Sequence, residues 1–408
     1  MSVQNADLTF DPYAPGFVED PYPILARLRE EAPIYRWDAA RAHIFFRFRD
    51  VMPLFKEPRL GTDPTFGAGF TAELRAAYPD FVAIRENDLM MMSAASHARI
   101  RKLVAPYFSP RSLEAHLPGI ERVIDEVLGG LPSEGRVNLA VDFSRRYPVR
   151  VIASLLAIPP GSEEVFVAMA EALIATILPG LPPERFASYM GPIAAGVGLV
   201  RELIAERRAR PLEGDLFSAM IHACDAEERL SDGELLSLIG GILTGGSDTT
   251  VHLTTYALLN LLRHPDQLAL VREDPSLIRM ALDETLRFDS FGRGAGLARF
   301  VTEPLSYQGV DLQVGEVVFL NLAAAFRDPE FVADPDVFDI RRRTHTSPWF
   351  GNGPHFCLGA ALARLEAEAA IRRLLQRYAE IELVGPPVYG DHPVFREIVD
   401  LPLRVRAR

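Results

Sequence analysis

The sequence predicts a mainly α-helical protein with a small β region. Apolar residues recur at helical spacing over most of the 408 residues. The stretches that read as strands are short and scattered, and no repeat, low-complexity tract or Gly-, Ser- or Pro-rich linker divides the chain. Length alone allows two or three domains, or one large helical unit. A composition of 48% hydrophobic and 24% charged residues supplies material for a deep core.

In chain order, amphipathic helices are expected at 23–31, 112–128, 140–157, 163–177 and 185–208. Residues 60–92 have weak periodicity and several Gly, Pro and polar breaks, so they read as a long irregular loop, a feature that is usually functional. The longest helix is expected to start at Ser231, three residues before Glu234 in a capping-box arrangement, and to run to Asn260 or slightly beyond. It is apolar on nearly every face around 235–243, as a buried central helix would be. A last helix, 360–378, follows directly on Cys357. Strand-like runs at 34–37, 43–48, 299–301, 310–320, 381–384 and 401–406 predict a small peripheral sheet pairing both ends of the chain, which would make residues 1–408 a single intertwined domain.

The net charge of −12 argues against nucleic-acid binding, which needs a basic surface. Two cysteines, Cys224 and Cys357, are too few for a disulfide framework or a multi-cysteine zinc site and suit a reducing, intracellular setting. Residues 1–16 lack the basic start and apolar stretch of a signal peptide. No uninterrupted apolar run approaches bilayer-spanning length. A cytoplasmic, soluble protein without membrane contact is therefore expected.

Cys357 stands in the run Phe350-Gly351-Asn352-Gly353-Pro354-His355-Phe356-Cys357-Leu358-Gly359. The positive end of the following helix and its unpaired first-turn amides favour an anionic sulfur, and so a good metal ligand. Cysteine more often serves as a small buried hydrophobe. Against that, Gly353 and Gly359 let the backbone approach closely, loop amides can point at the sulfur, and Phe350 can shield one side of a cofactor ring.

A second constellation, Gly245-Gly246-Ser247-Asp248-Thr249-Thr250, interrupts the central helix. Each glycine costs a helix interior about 1 kcal/mol relative to alanine, and Asp and Thr compete for backbone hydrogen bonds. One reading is a kink in which Thr249 bonds back to the Gly245 carbonyl. The other is an opened turn where a flat ligand lies against bare backbone while Asp248 and Thr249 handle protons. Elsewhere, Glu284 and Arg287 share a helix face, which alone would mean a surface ion pair. His97 and Arg101, four apart, form either a solvated basic face or a grip on a ligand carboxylate, and Arg299 and His355 are further candidates for that grip.

Together these four segments resemble the cytochrome P450 family of haem-thiolate monooxygenases. Phe350-x-x-Gly353-x-His355-x-Cys357-x-Gly359 matches the family's haem-binding signature at every fixed position, Glu284-x-x-Arg287 its Glu-x-x-Arg helix, Gly245 to Thr250 its oxygen-activating turn, and His97 with Arg101 its haem-propionate helix. The resemblance covers nearly the whole chain. It implies a single triangular haem-containing domain with haem b as cofactor. Cys357 would be the axial iron ligand, whose thiolate donation favours O–O cleavage. Asp248 and Thr249 would pass protons to bound O2. His97, Arg101, Arg299 and His355 would hold the propionates, Phe350, Gly353, Gly359 and Gly245 would lie against the haem, and Glu284 and Arg287 would support the cysteine loop.

Two departures from the family pattern stand out. Val337 occupies a position where an Arg or His often completes the Glu–Arg pair, which leaves Arg341 or another group to substitute. Residues 291–297 are longer and richer in glycine than in most relatives. Because that segment lines the family's substrate cavity, an unusual wall is expected, with Arg293 as its charged group. Further substrate determinants are expected in 60–92, 174–197, 238–244 and 394–395.

Three stretches, Asp20-Pro21-Tyr22-Pro23, Ala281 to Asp289 and His392 to Arg396, are similar to those of polyketide-tailoring members. They imply a bulky apolar secondary metabolite, macrolide or terpenoid- or steroid-like. Similarity to soluble bacterial members implies hydroxylation or epoxidation by a monomer, with O2 and electrons from NAD(P)H passed through ferredoxin reductase and ferredoxin. The ferredoxin would dock on a basic patch of Arg101, Lys102, Arg111 and Arg364. Two alternatives are a peroxide-driven peroxygenase or isomerase, which often lacks the acid–alcohol pair present here as Asp248 and Thr249, and a non-catalytic haem sensor, for which an attached signalling domain would be expected.

Overall fold

The computed structural model describes residues 8–65, 70–176, 182–225, 228–342, 348–392 and 394–408, so parts of the expected determinants 60–92 and 174–197 lie outside the described residues. Helices dominate and the strands gather in small sheets, as the sequence predicts. The chain divides into two compact units, each assembled from three separated segments. The first comprises Met1–Ala68, Tyr256–Cys357 and Pro387–Val399, and the second Gly69–Thr255, Leu358–Pro386 and Asp400–Arg408.

The first unit is built on a five-stranded sheet with the spatial order Ile34–Trp37, Ala42–Phe45, Val317–Leu320, Leu297–Val301, Leu60–Gly61. Side chains alternate between its faces. Phe45, Val318 and Leu320 join one buried cluster with Val51 and Phe326, while Ile44 and Phe46 join another with Phe10 and Leu28. The glycine-rich approach to the fourth strand has a steric cause. Gly296 has φ +101°, and a side chain there would run into the Leu320 carbonyl, so only glycine fits.

In the second unit a three-stranded antiparallel sheet has Pro402–Ala407 between Tyr378–Leu383 and Glu134–Asn138. The predicted single sheet joining both ends is thus replaced by separate sheets, the five-stranded one in the first unit and the three-stranded one in the second. Alternation in a strand says which face is buried, not which strand lies beside it.

Two predicted helices are broken by prolines, which cannot continue a preceding turn. Residues 112–128 divide into Pro110–Glu114 and Leu117–Gly129, and 140–157 into a π-type turn, Ala140–Ser144, and a helix, Pro148–Leu155. The expected loop at 60–92 holds the helices Ala72–Ala77, capped by the Thr71 side chain, and Pro79–Glu86, which buries Phe81, Val82 and Ile84. Helices this short do not show periodicity in a longer window.

The longest helix is Asp232–Arg263. Its start carries the predicted capping box: the Ser231 amide donates to Glu234 Oε2 at 2.8 Å and the Glu234 amide to Ser231 Oγ at 3.2 Å. No helix among the described residues is long and apolar enough to cross a membrane.

Candidate active site

In the first unit, the residues ahead of Cys357 form a tight loop of two short 3-10 turns, Pro348–Phe350 and Gly353–His355. Gly351 and Gly353, at φ +78° and +73°, supply the left-handed conformations this path requires. The loop closes through the Cys357 amide, which donates to the Phe350 carbonyl at 2.7 Å, and the Phe356 amide, which donates to the Gly353 carbonyl at 3.1 Å. These two amides are therefore used within the loop. The thiol itself is exposed.

Arg299 lies on the strand Leu297–Val301 and is 5% exposed. Its guanidinium donates to the Ala298 carbonyl at 2.9 Å and sits 5.0 Å from the centre of the Phe55 ring. Burial lowers its pKa to about 10. Among the described residues no carboxylate compensates this charge, and a buried cation without a counter-ion is costly.

Glu284 and Arg287 are not a surface pair. Both are buried, and they meet in a two-point ion pair with each N–O distance 2.8 Å. Arg287 also donates to the carbonyls of Phe326, Pro335 and Val337, so Val337 contributes its backbone where a side-chain partner was sought. The missing third member is Arg342, whose Nε donates to Glu284 Oε1 at 3.3 Å, while Arg341 is exposed. The signal for this was the arginine run at 341–343, which does not tell its members apart.

Arg293 is held by the carbonyls of Pro12 and His392 and by the face of Tyr13, so its charge pins neighbouring backbone.

In the second unit, His97 and Arg101 lie on the helix Ala94–Val104, started by a Ser93 cap. His97 is buried, and burial together with the Arg101 charge lowers its pKa, which keeps the imidazole neutral and leaves it one N–H to donate. On the central helix, Thr249 Oγ1 donates to the Gly245 carbonyl, and the helix runs on unbroken. The back-bonded reading therefore holds in place of an opened turn. The two glycines serve different ends. A side chain on Gly246 would meet Ile152 Cδ1, whereas Gly245 is exposed and a Cβ there would meet nothing within 4 Å. Asp248 and Thr249 are half-buried.

Of the predicted site residues, Cys357, Phe350, Gly353, His355 and Arg299 belong to the first unit. Gly245, Asp248, Thr249, His97, Arg101 and Gly359 belong to the second. Each unit by itself carries groups that suit an iron porphyrin: in the first, an exposed thiol on a preformed loop for a metal and a buried uncompensated guanidinium for a carboxylate, and in the second, a neutral imidazole beside an arginine for a carboxylate and bare backbone at Gly245 for a flat ring.

Comparison with known proteins gives the same reading. Residues 197–382 match the family model described as Cytochrome P450. The chain is 38% identical over 395 residues to epothilone C/D epoxidase of Sorangium cellulosum, covering 96% of this chain and 94% of that protein. It is 34% identical to vitamin D(3) 25-hydroxylase of Pseudonocardia autotrophica, covering 98% and 97%. Among solved structures it is similar to epothilone B-bound cytochrome P450epoK, with a TM-score of 0.91, 37% identity and coverage of 98% and 100%.

Proposed function

The chain belongs to the cytochrome P450 family of haem-iron monooxygenases, and from that premise we propose that it hydroxylates or epoxidises a bulky apolar secondary metabolite, macrolide or terpenoid- or steroid-like. Relatives named for epothilones C and D and for vitamin D(3) support that substrate class. The observation that carries the reading is the exposed Cys357 thiol on a loop already closed by its own amides.

Cys357 would ligate the iron of haem b, while Arg299, His97, Arg101 and His355 hold the propionates. Phe350, Gly353, Gly359 and Gly245 would lie against the ring. When bound, the haem supplies activation of O2, with the thiolate favouring O–O cleavage. Thr249 holds its hydroxyl proton on the Gly245 carbonyl, and Asp248 one residue earlier supplies a carboxyl, so the pair can pass protons inward from solvent. Electrons would come from NAD(P)H through ferredoxin reductase and ferredoxin. Residues 1–408 would act as one domain, monomeric and cytoplasmic. Assembly of each unit from three separated segments supports the single domain.

The reduced protein under carbon monoxide should show the red-shifted Soret band of thiolate ligation, lost in Cys357→Ala. A wild-type band at the imidazole position would refute the assignment. Turnover with ferredoxin, its reductase and NADPH should exceed turnover with peroxide alone, and Thr249→Ala should divert electrons to hydrogen peroxide. Equal turnover by both routes would favour the peroxygenase reading.

A further inference from the structure

Three stretches that the sequence marks separately converge in the first unit on one carboxylate. Asp289 Oδ1 accepts from Arg396 Nη1 at 3.0 Å and from Tyr22 Oη at 3.2 Å. Arg396, with 2% of its side chain exposed, also donates to the carbonyls of Val18, Glu19 and Ser290. Its amide donates to the Phe291 carbonyl at 2.7 Å. This buried charge network thus holds Phe291 by its backbone. None of it is required by the oxidation chemistry.

The Phe291 ring stacks on Trp349, with centroids 6.0 Å apart and planes 29° from parallel. On another side, Trp349 meets the Phe326 ring edge-on at 5.8 Å, and the Phe326 carbonyl accepts from Arg287 of the Glu284 network. One indole is therefore reached from both buried charge networks. Its Nε1 is buried and makes no hydrogen bond among the described residues. Packing alone sets its position, so a shift of Phe291 or Phe326 passes to it unopposed by any polar anchor. The next residue, Phe350, supplies the carbonyl that receives the Cys357 amide.

We propose that Trp349 is a positioning residue for Cys357, seated by the Asp289–Arg396 network through Phe291 and by the Glu284–Arg287 network through Phe326. This role rests on the reading of Cys357 as the iron ligand. The indole fixes Phe350, Phe350 fixes the cysteine amide, and the sulfur's attitude and solvent exposure follow. The two networks are thereby coupled to the electron donation of the ligand.

The test compares haem-loaded Trp349→Phe, Asp289→Asn and wild type by the reduced carbon monoxide spectrum and by the haem reduction potential. Asp50→Asn serves as the control. It alters a buried carboxylate of the same unit that bonds Tyr307 and Gln308, on residues with no ring contact to Trp349. Trp349→Phe and Asp289→Asn should each raise the fraction of protein with the unshifted, non-thiolate band several-fold and move the potential, while Asp50→Asn lowers thermal stability and leaves both unchanged. A Trp349→Phe protein with the wild-type band and potential would overturn the positioning role, as would the same spectral change in Asp50→Asn. If Asp289→Asn does not fold, Trp349→Phe decides alone. A wild-type protein without the thiolate band would instead overturn the proposed function, and the positioning role with it.

Discussion

Ile152 places its Cδ1 methyl 2.8 Å from where a side chain on Gly246 would begin, while Gly245, one residue earlier, faces open space. Adjacent glycines in one helix thus have different causes: one lets a neighbouring helix pack closely, and the other leaves backbone bare.

Gly245→Ala should raise the stability of the cofactor-free chain by roughly 0.5–1 kcal/mol, because alanine is the better helix former and its methyl meets nothing. On the proposed role of Gly245, the same methyl should impair turnover by standing where the haem would lie. Urea unfolding and steady-state turnover check both signs. A variant neither more stable nor less active would remove the ligand-facing role from Gly245.

Arg342→Ala should cost about 1–3 kcal/mol, since it takes a charged donor from the buried Glu284 carboxylate. Arg287→Ala should cost about 3–5 kcal/mol by stranding that carboxylate. Arg341→Ala should stay within about 0.5 kcal/mol. Denaturant midpoints rank the three, and an Arg341→Ala loss equal to that of Arg342→Ala would contradict the identification of the third member.

Arg299→Met should change sign with loading. In the cofactor-free chain it removes a buried, uncompensated cation and should raise Tm. In the haem-loaded protein it should speed haem transfer to an acceptor such as apomyoglobin, because a propionate loses its partner. Unchanged transfer kinetics would separate Arg299 from the cofactor.

Much of this was legible in the sequence where a local rule has a single outcome. Ser231 and Glu234 cap the central helix as their spacing demands, and the glycines before Cys357 do mark a loop, though through left-handed backbone at Gly351 and Gly353 rather than the close approach expected at Gly353. What could not be read were choices among equivalent partners. Arg341 and Arg342 carry the same charge one residue apart, and only the path of the chain turns one inward. Trp349 carries no local signal, because its meaning lies in contacts made 58 residues back in sequence, at Phe291. The short helix Pro79–Glu86 within 60–92 is set by tertiary burial of Phe81, Val82 and Ile84, not by a periodicity long enough to see.

Glu366, on the helix Ala360–Arg377, is buried, and burial pushes its carboxyl well above the ordinary value. The folded chain therefore favours the protonated acid. Its contribution is intact below the unfolded carboxylate pKa, about 4.3, and is lost as pH rises from there toward the raised folded value. Glu366→Gln has no proton to give up, so its stability relative to wild type should improve by up to about 1.4 kcal/mol per pH unit across that window. Unfolding midpoints at mildly acidic and mildly alkaline pH check this, and a gap that does not widen with pH would show that the carboxyl is already ionised in the native state.

The strand Pro402–Ala407 is the middle member of its sheet, bonded on one side to Glu134–Asn138. During synthesis, the segment at 134–138 is made more than 250 residues before its partner. Until then that edge lacks this partner, and an unpaired strand edge is a template for illegitimate pairing. Native closure of this sheet therefore waits on residues 402–407, and their deletion would remove the central strand and leave Tyr378–Leu383 and Glu134–Asn138 with unmatched edges.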